Sequence, residues 1–582
     1  MTAAREHTEP AVPPHPALIP RRRLALYVCV IVLLGAGLRF YHITEMEPRI
    51  WDEGVYLLEG RYLSSFCSAV WNSAQTFLEE KLTHQDLWKK ELQIEQIRER
   101  TCGLPPKYGR ILHNTFIAAG NLLAGPKPYM GNLVSAILGT LTIFWVFMLG
   151  RRMFNERVGL CAALIFSVMG YHIHYSRSGL AEAGSLFFLV PAFYYYYKSR
   201  CSYPVLSCRD LVLCGLFLGV GFTVHNRCMM LAGLICLLDL VFLWRDSSLT
   251  RQSKTIRIAL FLTCFLLPSC IWEGFYHVVL LVFKRLQIVM TTPTYLEQVL
   301  YGFWHSLLWG YISENFRLAG FLVFPYLYLY MNGIVASLLL LAGLYAAVRR
   351  RSLADQILGV WFLVPLVLYS LTNAGLTRFF SLILAPAAVL SSAALFSVSG
   401  RNGVSHRRSR KGNLVRAVAL LLLILSGCYC AWTRILPPGS GYARSMDFLL
   451  KAGDPRIVAT GVPLCQVYMG VDKVTKPPES MQELERLYKD GFRYYVIDYT
   501  RIIYTYYQMD RVRVLDHVAS GLEPVFSVSN EFILEPQNAF EGNLYFWKTM
   551  ATLRKGKQEQ VDRIRIYDLK EYFEASVQGS SP

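Results

Sequence analysis

Charge is scarce in this chain: 17% of its 582 residues are Asp, Glu, Lys or Arg, against 53% hydrophobic. That balance excludes an ordinary soluble enzyme, because several apolar runs reach the roughly 20 helical residues needed to cross a hydrocarbon core. Metal-spaced cysteines are missing too. The fourteen Cys include no CxxC pair and no His/Cys cluster at zinc spacing, and most lie within or beside apolar runs, which argues against a zinc framework. There is no GxGxxG and no P-loop, so no nucleotide is assigned. The first apolar run lacks a small-residue cleavage site and reads as a signal anchor rather than a removable signal.

What is present is a succession of spans. Residues 1–20 are polar and Pro-rich, and Arg21-Arg22-Arg23 precedes an apolar run over 24–41. Further spans are expected near 129–149, 157–173, 180–197, 210–225, 228–244, 256–274, 330–348, 353–371, 379–398 and 414–433. The expected fold is therefore a polytopic α-helical membrane protein of about eleven transmembrane helices. Its expected parts are a cytoplasmic disordered tail (1–23), a transmembrane domain (24–433) with large outer loops at about 42–128 and 275–329, and a small extracytoplasmic α/β domain (434–582). In that last part Arg456 to Ala459, Tyr494 to Ile497 and Pro524 to Val528 read as strands, and Met481 to Lys489 and Val514 to Leu522 as helices.

Threading the spans alternately puts Arg151/Arg152/Arg157, Lys198/Arg200/Arg209, Arg245/Arg251/Lys254/Arg257, Arg349/Arg350/Arg351 and the Arg401 to Arg416 cluster on one side. The positive-inside bias then places the N-terminus in the cytoplasm and the C-terminal domain outside, in an integral protein of the cell (inner) membrane. The net charge of +18 is thus read as orientation, not as a nucleic-acid footprint. Cys67 and Cys102 share the first outer loop, where they read either as a disulfide or as two separate thiols.

Asp52 and Glu53 follow the first span, where a carboxylate is costly unless solvated, paired or used. Alone, they read as an acidic pair in water complementing a helix N-terminus. After them Val55, Leu58, Tyr62 and Phe66 recur at helical spacing, as expected of an amphipathic helix along the membrane surface. Residues 72–100 form a charged helical stretch with a solvated face. The opposite-side turns hold His174, Arg177 and Glu182, then His225 and Arg227, then Arg378. Each alone reads as a snorkelling or interfacial residue, but several mixed-sign groups at one depth read as a site at the membrane surface.

Trp51-Asp52-Glu53-Gly54-Val55-Tyr56, Gly150-Arg151-Arg152-Met153-Phe154, His174-Tyr175-Ser176-Arg177 with Glu182 and Phe187-Phe188, and Arg378-Phe379-Phe380 with Pro386 together form a pattern. Over roughly residues 20–400 it resembles the GT-C glycosyltransferases, in the branch of the lipid A aminoarabinose transferase and the protein O-mannosyltransferases. The chain departs from that branch in having Leu104-Pro105-Pro106-Lys107 where Lys-Pro-Pro is usual, and Glu182 where Asp is frequent.

The resemblance implies an inverting hexosyl- or pentosyltransferase that moves a sugar from a polyprenyl-phosphate donor to a hydroxyl of a glycolipid, polysaccharide or protein at the outer membrane surface. It implies Asp52 as catalytic base, because the attacking hydroxyl must lose a proton. Arg177, Arg227, Arg378, Lys107 and His174 are implied at the donor phosphate, where guanidinium groups supply paired donors. Glu53, Glu182 and His225 are implied as supporting or sugar-binding residues. No residue is assigned to a metal, and no cofactor is certain, a divalent metal being left open. Membrane lipids are partners; nucleic acid is not. The rivals are a transporter or flippase of a lipid-linked sugar, which predicts ionisable groups at the bilayer midplane and paired broken helices, and a non-catalytic assembly protein using its α/β tail.

Overall fold

A computed structural model describes residues 19–83, 110–201, 208–244, 250–285, 297, 320–372, 377–396, 410–434, 440–498, 509–529 and 562–578. Helix α1 (Arg21–Phe40) is followed by α2 (Trp51–Thr83) and α3 (Ile111–Ala124), so much of the expected first outer loop is helical. Then come α4 (Met130–Met153), α5 (Glu156–Val168), α6 (Gly170–Ser176), α7 (Glu182–Cys201), α8 (Cys208–Val224), α9 (Cys228–Trp244) and α10 (Arg251–Arg285). The second half holds α11 (Gly320–Arg350), α12 (Leu353–Thr372), a 3-10 turn (Thr377–Ile383), α13 (Leu384–Phe396) and α14 (Arg410–Arg434). Helices α10 and α11 run past the expected bounds, so the loop placed at 275–329 begins and ends inside helix.

Seven of the described helical segments are long and apolar enough to cross a membrane, and α5 with α6 makes an eighth if that bent pair is one span. Helices α7, α8 and α9 occupy the positions of the other three expected spans. The expected count of about eleven therefore stands at seven or eight among the described residues on length and apolarity. The 3-10 turn with α13 is the most buried of these segments and α1, α10 and α14 the least. Leu33, Leu338 and Leu422 accordingly face outward, as side chains in contact with lipid tails do.

Two helices are interrupted, and the interruptions meet. The α5–α6 pair bends by 61°, and α11 breaks at Gly333, whose φ of +80° only glycine adopts readily. The break frees backbone groups that must find partners in an apolar surrounding. One is the amide of Tyr171, which donates to Asn332 Oδ1 at 3.1 Å, so a residue flanking one break satisfies the other.

The described basic residues at the helix ends form local ion-pair groups. Arg151 pairs with Glu156, which also accepts from the backbone of Ile19. Arg350 pairs with Asp355 and lies over the Phe154 ring. A second group joins Lys198 to Asp210, and Arg200 and Arg257 to Asp239.

The C-terminal region contains α15 (Tyr442–Lys451), β1 (Arg456–Ala459), α16 (Val462–Met469), β2 (Val474–Thr475), α17 (Met481–Lys489), β3 (Phe492–Asp498), α18 (Met509–Gly521), β4 (Phe526–Ser529), β5 (Asp562–Asp568) and α19 (Leu569–Gln578). The sheet order is β2-β1-β3-β5-β4, with β1 parallel to β2 and β3, and β5 antiparallel to β3 and β4. Ile457 and Val496 pack on the α15–α16 face, Val458 and Ile497 on the α17–α18 face. Both faces are covered, which is why these strands read as continuous apolar runs.

The apolar positions of helix α2, expected to be amphipathic, face protein over its first part. From Glu53 to Arg61 every residue is buried, because α3 covers one side and α16 another. The charges between its apolar positions are matched inside: Asn114 donates to Glu59, and Arg61 donates to the carbonyl of Val467 at 2.6 Å. At Gly54 a Cβ would sit 2.9 Å from the backbone carbon of Pro463, so the two regions meet backbone to backbone. Gly54→Val is expected to cost about 2 kcal/mol by overpacking, measured as a lower thermal unfolding midpoint.

Candidate active site

Glu53 and Asp52, adjacent in sequence, have separate environments. Glu53 Oε2 accepts from the backbone N–H of Arg49 and, at 3.2 Å, of Ile50, capping the start of α2 in the manner of a capping box. Its Oε1 accepts from the Gly179 amide at 2.8 Å, and the Gly179 carbonyl accepts from His113 Nε2 at 3.0 Å. Burial raises the Glu53 carboxyl, an effect that the three N–H donors and Arg49 partly offset. Glu53 is thus a staple joining α2 to the loop after α6.

Asp52 faces away from that staple and keeps 30% of its side chain exposed. Its Oδ2 lies 2.7 Å from Arg378 Nη1 and 3.8 Å from Arg110 Nη1. Burial acts to raise its carboxyl, but Arg378 and then Arg110 outweigh it and hold the group below the usual carboxylate range. Arg378 and Arg110 therefore favour the charged form of Asp52.

Glu182, at the start of α7, is the second anion. Its Oε1 lies 3.7 Å from His225 Nε2, 3.5 Å from Arg227 Nη1 and 3.8 Å from Arg378 Nε. The Arg227 guanidinium lies on the Phe379 ring, and Arg110 lies over Tyr56 at 4.8 Å. Arg378 bridges the two carboxylates, so Asp52, Arg110, Glu182, His225, Arg227 and Arg378 form one cluster. Three guanidinium groups face two carboxylates, and the surplus positive charge suits a phosphate. Among the described residues, no three of His, Cys, Asp and Glu converge as metal ligands.

Of the residues singled out from the sequence, Asp52, Glu182, His225, Arg227 and Arg378 are brought together. Arg177 has other partners: it donates to the carbonyls of Arg39 and Tyr41 and to Met46 Sδ. His174 is buried beside Arg49 and Arg177, its ring edge-on to Tyr175. Lys107 and Cys102 lie outside the described residues. Arg110 and His113 escaped the sequence reading. The signal was the apolar stretch from Ile111 to Ala124, a helix start that would have placed Arg110 and His113 on its first turn.

This arrangement defines a class: a helical protein with several membrane-length apolar helices and an arginine–carboxylate cluster beside a short α/β region. Residues 109–272 match the family described as Dolichyl-phosphate-mannose-protein mannosyltransferase. The fold is similar to that of ArnT from Cupriavidus metallidurans bound to undecaprenyl phosphate, at 15% identity and a TM-score of 0.55, covering 82% of this chain and 94% of that one. The same ArnT in its apo state gives 14% identity and a TM-score of 0.51, over 82% of this chain and 93% of that one. The archaeal oligosaccharyltransferase AglB from Archaeoglobus fulgidus, in complex with an inhibitory peptide and a dolichol-phosphate, gives 12% identity and 0.51, over 83% and 71%. No curated protein matches the chain.

Proposed function

We propose that this protein is an inverting glycosyltransferase that takes its sugar from a polyprenyl-phosphate donor and passes it to an acceptor hydroxyl. The observation that carries this reading is the Arg378 guanidinium held between Asp52 and Glu182, 2.7 Å from the first and 3.8 Å from the second. Asp52 takes the proton from the acceptor hydroxyl as its oxygen attacks the anomeric carbon. The bond from that carbon to the phosphate oxygen breaks, its electron pair stays on the phosphate, and a glycosidic bond forms. Arg378, Arg110 and Arg227 offset the charge on the departing phosphate.

A membrane-embedded site fits a lipid donor, since withdrawing its tail from the bilayer costs about 0.8 kcal/mol per CH₂. The cluster lies at the end of the bundle opposite the basic connections of α4–α5 and α11–α12, which the positive-inside rule assigns to the cytoplasm. In this reading residues 24–433 are the transmembrane domain, residues 434–582 an extracytoplasmic α/β domain, and the acceptor is a glycolipid, polysaccharide or protein of the cell envelope.

The test is incubation of the purified, reconstituted protein with a panel of radiolabelled polyprenyl-phosphate sugars. Loss of one donor with appearance of polyprenyl phosphate is expected. The meeting of two interrupted helices at Tyr171 and Asn332 favours a second reading, a transporter of a lipid-linked sugar. Movement of labelled donor across the vesicle without its consumption would establish that reading instead.

A pH profile gives a further check. Because Asp52 is held below the carboxylate range, its charge, and transfer with it, is lost as pH falls through that depressed value. The acid limb is expected below about pH 4, the ordinary value for Asp. In Arg378→Gln the limb moves upward, toward or past that value. A limb unmoved in that variant would break the link between Asp52 and Arg378.

A further inference from the structure

Two buried arginines outside the cluster tie α1 to the bent α5–α6 pair. Arg39, near the end of α1, is fully buried and makes no ion pair among the described residues. Its guanidinium donates to the carbonyls of Ser167 at 3.0 Å and Phe166 at 3.2 Å, in the last turn of α5, and to His172 Nδ1 at 2.7 Å in α6. Arg177, which ends α6, is 1% exposed and also makes no ion pair among the described residues. It donates to the carbonyls of Arg39 at 3.0 Å and Tyr41 at 2.5 Å, at the end of α1. Arg39 therefore caps the carbonyl end of α5, just before the bend into α6, and Arg177, at the end of α6, caps the carbonyl end of α1, where unsatisfied C=O groups and the helix dipole favour a cation.

The loop after Arg177 is then gripped by α4. Asn132 donates to the Arg177 carbonyl at 2.7 Å, and Ser135 to the Leu180 carbonyl at 2.9 Å. Between them Gly179 offers its amide to Glu53 and its carbonyl to His113. The chain of contacts runs from the arginine pair through Gly179 to the first turn of α2, where Asp52 stands.

We infer that Arg39 and Arg177 are positioning residues, a clamp between α1 and the bent α5–α6 pair that sets Asp52 against Arg378 and Arg110 through Gly179 and Glu53. This rests on the proposed role of Asp52 and assigns Arg177 to the scaffold instead of the donor phosphate. Lysine has the charge but lacks the planar fork that reaches two carbonyls at once. A displacement of about 1 Å at a reacting group costs on the order of 10²-fold in rate.

The experiment uses full-length Arg39→Lys and Arg177→Lys in lipid nanodiscs, with His172→Phe as a milder variant that keeps both arginines. Binding of undecaprenyl phosphate, kcat and KM for the donor, the pH dependence of kcat, and hydrogen exchange over peptides spanning 46–58 and 170–185 are followed. Expected are undecaprenyl phosphate affinity within about threefold of the parent, kcat lower by about 10²-fold, faster exchange in both peptides, and an acid limb moved upward. The limb moves because the groups facing Asp52 are Arg110, Arg378 and the anionic Glu182, and the loosened helix weakens the first two contacts. A tenfold loss of undecaprenyl phosphate affinity in Arg177→Lys at unchanged kcat would return Arg177 to the donor site. Rate loss that only tracks the folded fraction, with limb and exchange unmoved, overturns the clamp. Full activity in Asp52→Asn would instead remove the base assignment while the exchange result still judged the clamp.

Discussion

Asp52→Asn is expected to lower sugar transfer by about 10²- to 10⁴-fold, the usual contribution of a general base. Asparagine has nearly the same shape and can still accept a hydrogen bond from Arg378, but it cannot take the acceptor's proton. With 30% of the side chain exposed, the change leaves little buried charge without a partner. The variant should extract and unfold at close to the parent's midpoint while its single-turnover rate with excess acceptor collapses. It should also still bind undecaprenyl phosphate, since Arg110, Arg227 and Arg378 lose a competing carboxylate and keep their own charge. Near-normal turnover in the folded variant would sink the assignment.

Glu182→Gln should act on the fold as much as on the chemistry. The Glu182 side chain is 4% exposed, and it faces His225, Arg227 and Arg378 within 4 Å. Removing one partner from a buried ionic group leaves charge uncompensated, a loss of about 3–5 kcal/mol. A large drop in the thermal midpoint is therefore expected. The surplus charge gives the variant a signature: if the proposed function holds, undecaprenyl phosphate added as the anion should raise its midpoint more than it raises the parent's. An equal shift in both proteins would mean that the lipid phosphate binds elsewhere.

Much of this was legible along the chain. Hydropathy marked α1, α4 and α10 to α14 because a helix long enough to cross a bilayer must be apolar over its whole crossing, a constraint read locally. The breaks were harder. The bend between α5 and α6 has no proline and reads as one span, and Gly333 in α11 looks like one more small residue in an apolar run. Both are stabilised by partners distant in sequence, Asn332 for Tyr171 and Arg39 for the carbonyls before Met169. What covers the helix expected at Val55 to Phe66 was hidden for a related reason. An amphipathic pattern says which side chains avoid water, not whether lipid, α3 or α16 covers them.

The arginines show the division most clearly. The sequence by itself determined that Arg177, Arg227 and Arg378 fall between or at the edges of apolar runs, since hydropathy is a property of short segments. It also determined that a carboxylate pair follows the first span. Only the tertiary structure decided that Arg378 and Arg110 reach Asp52, that Arg227 joins Glu182, and that Arg177 turns to the carbonyl end of α1. A guanidinium satisfies a carboxylate, a phosphate or a row of backbone carbonyls with the same donors. Which of these it meets is set by how the helices pack, not by its neighbours in the chain.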